Sequence, residues 1–127
     1  MASTDHDHAA NLDQARAALN AAGASELERR PWQPVRWPAS DAELVRFAAW
    51  VAREPDTGAQ VPAAGLRLLA SARAELDQIE AGLLFAARGA GMTWPQIAGA
   101  LGLDSPQAAQ QRMHRLQARV ADPTRKA

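Results

Sequence analysis

The amino-acid sequence predicts an all-α fold. Apolar residues recur at spacings of three and four through most of the chain, which is the period of an amphipathic helix. Several of these segments open with Ser or Thr three residues before Glu or Gln, a capping signal, and close with glycine or proline. Hydrophobic residues make up 47% of the 127 residues but aromatic ones only 5%, so we expect a thin core of closely packed helices.

The composition excludes several classes of protein. No cysteine is present, which rules out disulfides and thiolate metal sites. No apolar run approaches the roughly 20 residues of a membrane-spanning helix. Residues 1–10 are polar and acidic, unlike a signal peptide, so we expect a cytoplasmic protein. His6 and His8 lack a third ligand at a suitable spacing, and we expect no metal site there.

The formal net charge of zero hides a division along the chain. Residues 1–85 carry eight Arg and twelve Asp or Glu, a net charge of about −4, whereas residues 86–127 carry six basic and two acidic residues, about +4. A basic C-terminal third indicates a local surface for an anionic partner. The alternative is a helix surface that is basic without binding anything.

The first part of the chain, residues 1–39, is predicted to be a polar disordered tail, a weak helix and a proline-tryptophan segment. Residues 9–22 are rich in alanine and favour a helix that stops at Gly23. Ser25 and Glu28 predict a capping box for one further short turn. The three prolines of residues 31–38 exclude a regular helix there, and we expect its two tryptophans to pack the segment onto the domain.

Residues 40–127 are predicted to form the helical domain. Ser40 and Glu43 form a second capping box that opens a helix over residues 40–54. Its predicted buried stripe consists of Leu44, Phe47, Ala48 and Val51.

The longest helical pattern runs from Pro62 to about Arg88 and ends at Gly89 and Gly91. Its apolar residues step by three and four, which predicts a core helix; a short coiled-coil seam is the alternative. The stripe consists of Leu69, Ala72, Leu76, Ile79, Leu83 and Ala86.

Two short helices joined by a tight turn are predicted over residues 93–120. Thr93 and Gln96 form a capping box, and Gly102 follows the helix that they open. Asp104 or Ser105 then caps a second, longer helix. This arrangement describes a helix-turn-helix unit, and the long preceding helix supplies the third member of a trihelical domain.

The last helix has a polar outer face if its apolar stripe of Ala109, Met113, Leu116 and Val120 faces the core. Gln can pair with adenine and Arg with guanine in the DNA major groove, and further arginines can hold phosphates. A helix N-terminus also favours binding of a phosphate, so we expect the residues around Thr93, at the start of the preceding helix, to contact the DNA backbone. The predicted DNA-binding residues are Thr93, Trp94, Gln96, Ser105, Gln107, Ala108, Gln111, Arg112, His114, Arg115 and Arg119.

These residues also resemble a known family. The segments AR, GMTWPQIAGALGL and SPQAAQQR, between residues 87 and 112, are similar to a motif of small helix-turn-helix DNA-binding proteins of GC-rich bacteria, some of them heat-shock-type transcriptional regulators. The resemblance implies a sequence-reading last helix with contacts from Ser105, Gln107, Ala108, Gln111, Arg112 and Arg115. One departure is Pro106, which stands where the family usually has Arg or Lys, so any contact from that basic side chain is absent.

Together these features predict a nucleoid-associated transcriptional regulator that binds double-stranded DNA through the helix of residues 105–120. One small motif reads few base pairs, so we expect a homodimer, with its interface on the helix of residues 40–54 (Phe47 and Trp50) or at Trp32 and Trp37. The alternative is that these aromatics close the core of a monomer. The alternative functions are a protein-interaction adaptor and a nucleoid protein that coats DNA broadly.

Enzyme activity is not expected. The sequence contains no nucleophile elbow, phosphate loop or ligand cluster, and no cofactor, metal or small-molecule substrate is indicated. His114 is the only histidine outside the N-terminal segment, and no carboxylate stands at helical spacing to orient it as a base.

Overall fold

The computed structural model describes residues 2–31, 33 and 38–121. This part of the chain is all-α, as predicted: it contains helices and no strand. The helices are α1 (Ala2–Ala21), α2 (Asp41–Val51), α3 (Gln60–Arg67), α4 (Leu69–Gly89), α5 (Trp94–Leu101) and α6 (Pro106–Ala121). None of the described helices is long and apolar enough to cross a membrane.

The chain divides into two compact units, residues 1–73 (unit 1) and residues 74–127 (unit 2). Within unit 1, α2 and α3 pack with α1, so residues 40–73, predicted to belong to the C-terminal helical domain, share a compact unit with residues 1–39. Trp32 and residues 34–37, which include Trp37, lie outside the described residues, as do the last six residues of the chain.

Unit 1 is built around small and aliphatic side chains from α1, α2 and α3. Ser40 caps α2, because its hydroxyl accepts a hydrogen bond from the backbone N–H of Glu43, which is one of the two hydrogen bonds of the predicted capping box. Gly65 lets α3 approach α2 closely: a Cβ at this position would lie 2.8 Å from the Cβ of Ala48. The buried residues of this core are Ala15, Leu19, Ala24, Leu44, Phe47, Ala48, Ala64 and Leu68.

The N-terminal prediction was wrong in two places. Residues 1–8 were expected to be a disordered tail, but α1 begins at Ala2. Extending a helix needs no new nucleation, and Asp5 in its first turn complements the helix dipole. Ser25 does not open a capped helix; it lies in the single 3₁₀ turn Ala24–Glu26, and its hydroxyl donates to the carbonyl of Asn20.

The long helical pattern also differs from its prediction. The helix is interrupted at the fully buried Leu68. The backbone N–H of Leu68 donates a hydrogen bond to the carbonyl of Gly65, three residues earlier, as in a 3₁₀ turn. Leu76, Ile79 and Leu83, predicted to be core, are 55%, 50% and 66% exposed. The residues of α4 that face the rest of unit 2 are instead Asp77, Glu80, Leu84 and Ala87. They form a second stripe displaced by one residue, or about 100° around the helix.

The core of unit 2 joins α4 to α5 and α6. Leu84 packs in one cluster with Ile97 and Ala98 of α5 and with Ala109 and Leu116 of α6. The two α6 residues, Ala109 and Leu116, belong to the stripe that was predicted to face the core. Partly buried side chains complete the cluster: Ala87, Met92, Trp94, Leu101, Leu103 and Met113.

Candidate nucleic-acid interface

A tight turn between α5 and α6 sets the geometry of the candidate interface. Gly102 adopts a left-handed conformation (φ +72°), which a side chain would disfavour. The backbone N–H of Leu103 then donates to the carbonyl of Ala98 at 2.8 Å, and the Leu103 side chain packs on the core of unit 2. Glycine therefore permits the tight turn here, and the packed leucine side chain holds the turn against the core of unit 2.

The starts of both helices are capped as predicted. At α5 the hydroxyl of Thr93 accepts from the N–H of Gln96, and the Gln96 side chain accepts from the N–H of Thr93. At α6 the hydroxyl of Ser105 accepts from the N–H of Ala108 at 3.1 Å. Thr93, Gln96 and Ser105, all predicted DNA contacts, therefore use part of their hydrogen-bonding capacity within the chain.

The outer face of α6 carries polar side chains that are free to meet a ligand. Gln107, Gln111, His114 and Arg115 are exposed and make no hydrogen bond or ion pair with the described part of the chain. They lie opposite Ala109 and Leu116, which are buried. Amide, imidazole and guanidinium groups together offer donors and acceptors that match the edges of base pairs in the major groove.

Arg112 lies at the edge of this face that meets α4. Its Nε and Nη2 donate to the two carboxylate oxygens of Glu80 at 2.6 and 3.0 Å, a bidentate pair. The hydrogen bonds to Glu80 raise the pKa of Arg112 above its ordinary value. The structure therefore gives this predicted phosphate ligand an internal anionic partner.

Arg119, about two turns further along α6, has a similar partner. Its Nε lies 3.3 Å from a carboxylate oxygen of Asp77. Unit 2 as a whole carries six basic and five acidic residues, a net charge of about +1. The acidic side of α4 thus offsets most of the positive charge that residues 86–127 show by themselves.

Trp94, a predicted DNA contact at the start of α5, packs against the core of unit 2. The ring is partly buried in the cluster of unit 2, and the guanidinium carbon of Arg88 lies 4.8 Å from its centre. Arg88 also donates to the carbonyl of Met92 at 2.8 Å. These contacts stabilise the connection between α4 and α5. Ala108, the remaining predicted contact, is partly buried beside Ser105.

Sequence reasoning missed Asp77 and Glu80 as members of this region. Their signal is present in the sequence as a second stripe of α4, in which two acidic residues precede Leu84 and Ala87 at spacings of three and four. The spacing shows that these residues share a face, but only the packed structure shows that Arg112 and Arg119 lie opposite them.

No group of three or more acidic or histidine side chains is arranged to hold a metal ion among the residues that the structure describes. Comparison with protein-family models, with curated proteins and with solved structures found no match to this chain.

Proposed function

We propose that unit 2 is a helix-turn-helix domain that binds double-stranded DNA, with α6 in the major groove, and that the protein regulates transcription. The observation that carries the proposal is the row of unpartnered polar side chains on the outer face of α6: Gln107, Gln111, His114 and Arg115. A recognition helix presents such a row at the same place, after a tight turn and a shorter helix.

The hydrogen-bonding groups of this face support sequence-dependent reading. Gln111 can bond to adenine through its amide, and Arg115 can bond to guanine through its guanidinium fork. Gln107 lies in the first turn of α6, which is where base contacts of a recognition helix concentrate. Thr93 and Ser105 add hydroxyls at two helix N-termini, where a phosphate is favoured.

The charge distribution sets how the protein would bind. Arg112 and Arg119 are paired with acidic residues, and the net charge of unit 2 is only about +1. Non-specific attraction to DNA is therefore weak, so useful affinity depends on base contacts and on a second copy of the domain. This balance favours a regulator of particular sites over a protein that coats DNA broadly.

The decisive experiment selects bound sequences from a random duplex pool with the full chain, at a low and a near-physiological salt concentration. We expect a short enriched motif that persists at the higher salt. Binding without enrichment would favour a DNA-coating protein. No binding at either salt, together with a nuclease-resistant protein partner, would replace the proposal with the adaptor function.

A further inference from the structure

The proposed function leaves an exposed apolar stripe of α4 unexplained. Leu76, Ile79 and Leu83 each expose half or more of their surface, and the exposed Ala86 extends the row. Large aliphatic side chains cost free energy when they face water in a row, and such patches mark interaction sites. We propose that this stripe (residues 76–86) is the homodimer interface and that its occupant is the same stripe of a second copy.

The spacing of the stripe suits a copy of itself. Its members are separated by three, four and three residues, which is the a/d spacing of helices that pack knobs into holes. The pattern reads the same in both chain directions, so two antiparallel copies can align with Ile79 of each against Leu83 of the other. An interface between identical patches closes on a two-fold axis.

Gly82 lies beside Ile79 and Ala86 on the same side of α4, and no close contact within the described chain requires a glycine there. A Cβ at this position would meet nothing within 4 Å, although glycine within a helix is unfavourable. Near the centre of an antiparallel pair it lets the two helix backbones approach closely.

The charge at the edge of the stripe also permits self-association. Glu80 borders the row, and like charges of two copies would repel if it stood alone. Its carboxylate is held by Arg112 of the same chain through two hydrogen bonds. The second copy therefore meets a compensated pair rather than a bare carboxylate.

The size of the stripe sets the strength of the dimer. Residues 76–86 span about 15 Å of helix, which buries far less than the roughly 800 Å² per partner of a standard stable interface. Free protein should therefore dimerise weakly, and two half-sites on one duplex would strengthen the pairing. The stripe and the outer face of α6 share no residue, so we expect a dimer to leave the outer face of α6 accessible in both copies. The role of the dimer in DNA binding rests on the proposed function.

The test measures oligomeric state in the absence of DNA, so its result is separate from the result of the DNA-binding experiment. Sedimentation equilibrium of the full chain, from micromolar to millimolar, should show a monomer–dimer equilibrium. Leu83→Glu should weaken it more than about tenfold, because each copy then buries an unpaired carboxylate. Phe85→Glu is the matched control: Phe85 is 75% exposed on the same helix but off the stripe, and this variant should dimerise like the wild type. Helical circular dichroism verifies that both variants fold.

Cross-linking provides a second measurement because the chain has no cysteine. Gly82→Cys should form an intermolecular disulfide under mild oxidation much faster than Phe85→Cys. A monomer at all concentrations, a dimer that Leu83→Glu leaves intact, or equal cross-linking of the two cysteine variants would each overturn the inference. A monomeric protein that still selects a DNA motif would overturn the dimer inference but would leave the proposed function in place.

Discussion

Arg112 of α6 donates two hydrogen bonds to the carboxylate of Glu80 of α4, 2.6 and 3.0 Å long. This pair joins the candidate recognition helix to the helix behind it, and it uses a guanidinium that would otherwise be available to DNA phosphates. Under the proposed function, the positioning of α6 and the attraction to DNA therefore compete for the Arg112 side chain.

Glu80→Gln tests this competition. Loss of the charged pair should lower the free energy of unfolding by up to about 1 kcal/mol, since both side chains are partly exposed. The released Arg112 should steepen the salt dependence of DNA binding by about 0.9 in log–log slope, one phosphate contact. Urea unfolding and binding titrations at several salt concentrations measure the two effects. Glu54→Gln is the control: it removes the same charge from unit 1 and should change neither the free energy of unfolding nor the salt dependence of DNA binding by much. Weaker DNA binding by Glu80→Gln would contradict the idea that Glu80 and DNA compete for Arg112.

Gln111→Ala and Arg115→Ala test the proposed DNA-reading face of α6. Each should cost about 1–3 kcal/mol on the selected site and relax the preference at one base position. Titrations of the selected site and of single-base variants provide the measurement. Gln117→Ala is the control, because Gln117 is an exposed glutamine of the same helix outside the four-residue row. An equal loss on every sequence would assign Arg115 to a phosphate instead.

Asp41 links stability to pH in unit 1. Its carboxylate accepts bonds from Arg16 at 2.8 and 2.9 Å and from the hydroxyl of Ser71, and the bonds from Arg16 chiefly lower the pKa of Asp41. A carboxylate whose pKa is lower in the folded state stabilises the protein above its unfolded pKa, near 3.9. That stabilisation is lost as the pH falls through the lower folded value.

We therefore expect the free energy of unfolding of the wild type, measured with urea, to fall in acid below about pH 4. Asp41→Asn should be less stable at neutral pH, by roughly 1.5–3 kcal/mol, because the bonds from Arg16 lose their charge-assisted character. This variant should also lose less stability on acidification. Identical acid profiles of the two proteins would show that Asp41 is not responsible.

Gly65→Ala tests the close approach of α2 and α3. The new Cβ would lie 2.8 Å from the Cβ of Ala48, and overpacking of this kind costs about 1–3 kcal/mol. Gly99→Ala in α5 is the control: nothing lies within 4 Å of its Cβ, so alanine should stabilise the helix by up to about 1 kcal/mol. Thermal and urea unfolding measure both, and Ala48→Gly should rescue Gly65→Ala. Equal stability of the two alanine variants would mean that the helices separate without cost.

Much of unit 2 could be predicted because its determinants are local. The capping box at Thr93, the left-handed turn at Gly102 and the cap at Ser105 each depend on residues a few positions apart. The buried side of α6 follows from spacing alone, since its apolar residues form one row. The N-terminal start of α1 was missed because a helix that is already formed can extend into neighbouring polar residues without a new nucleation step.

The sequence by itself therefore determined where most helices begin and end, and which face of α6 is polar, because backbone hydrogen bonds and helical periodicity act within a few residues. Only the tertiary structure decided which of two parallel stripes of α4 enters the core. Leu76, Ile79 and Leu83 form the more apolar stripe, yet they stay exposed, while Asp77, Glu80 and Leu84 face α5 and α6. The free-energy difference between burying one stripe and burying the other depends on the residues that pack against α4, here two arginines of α6. The spacing of residues within α4 cannot show which residues those are.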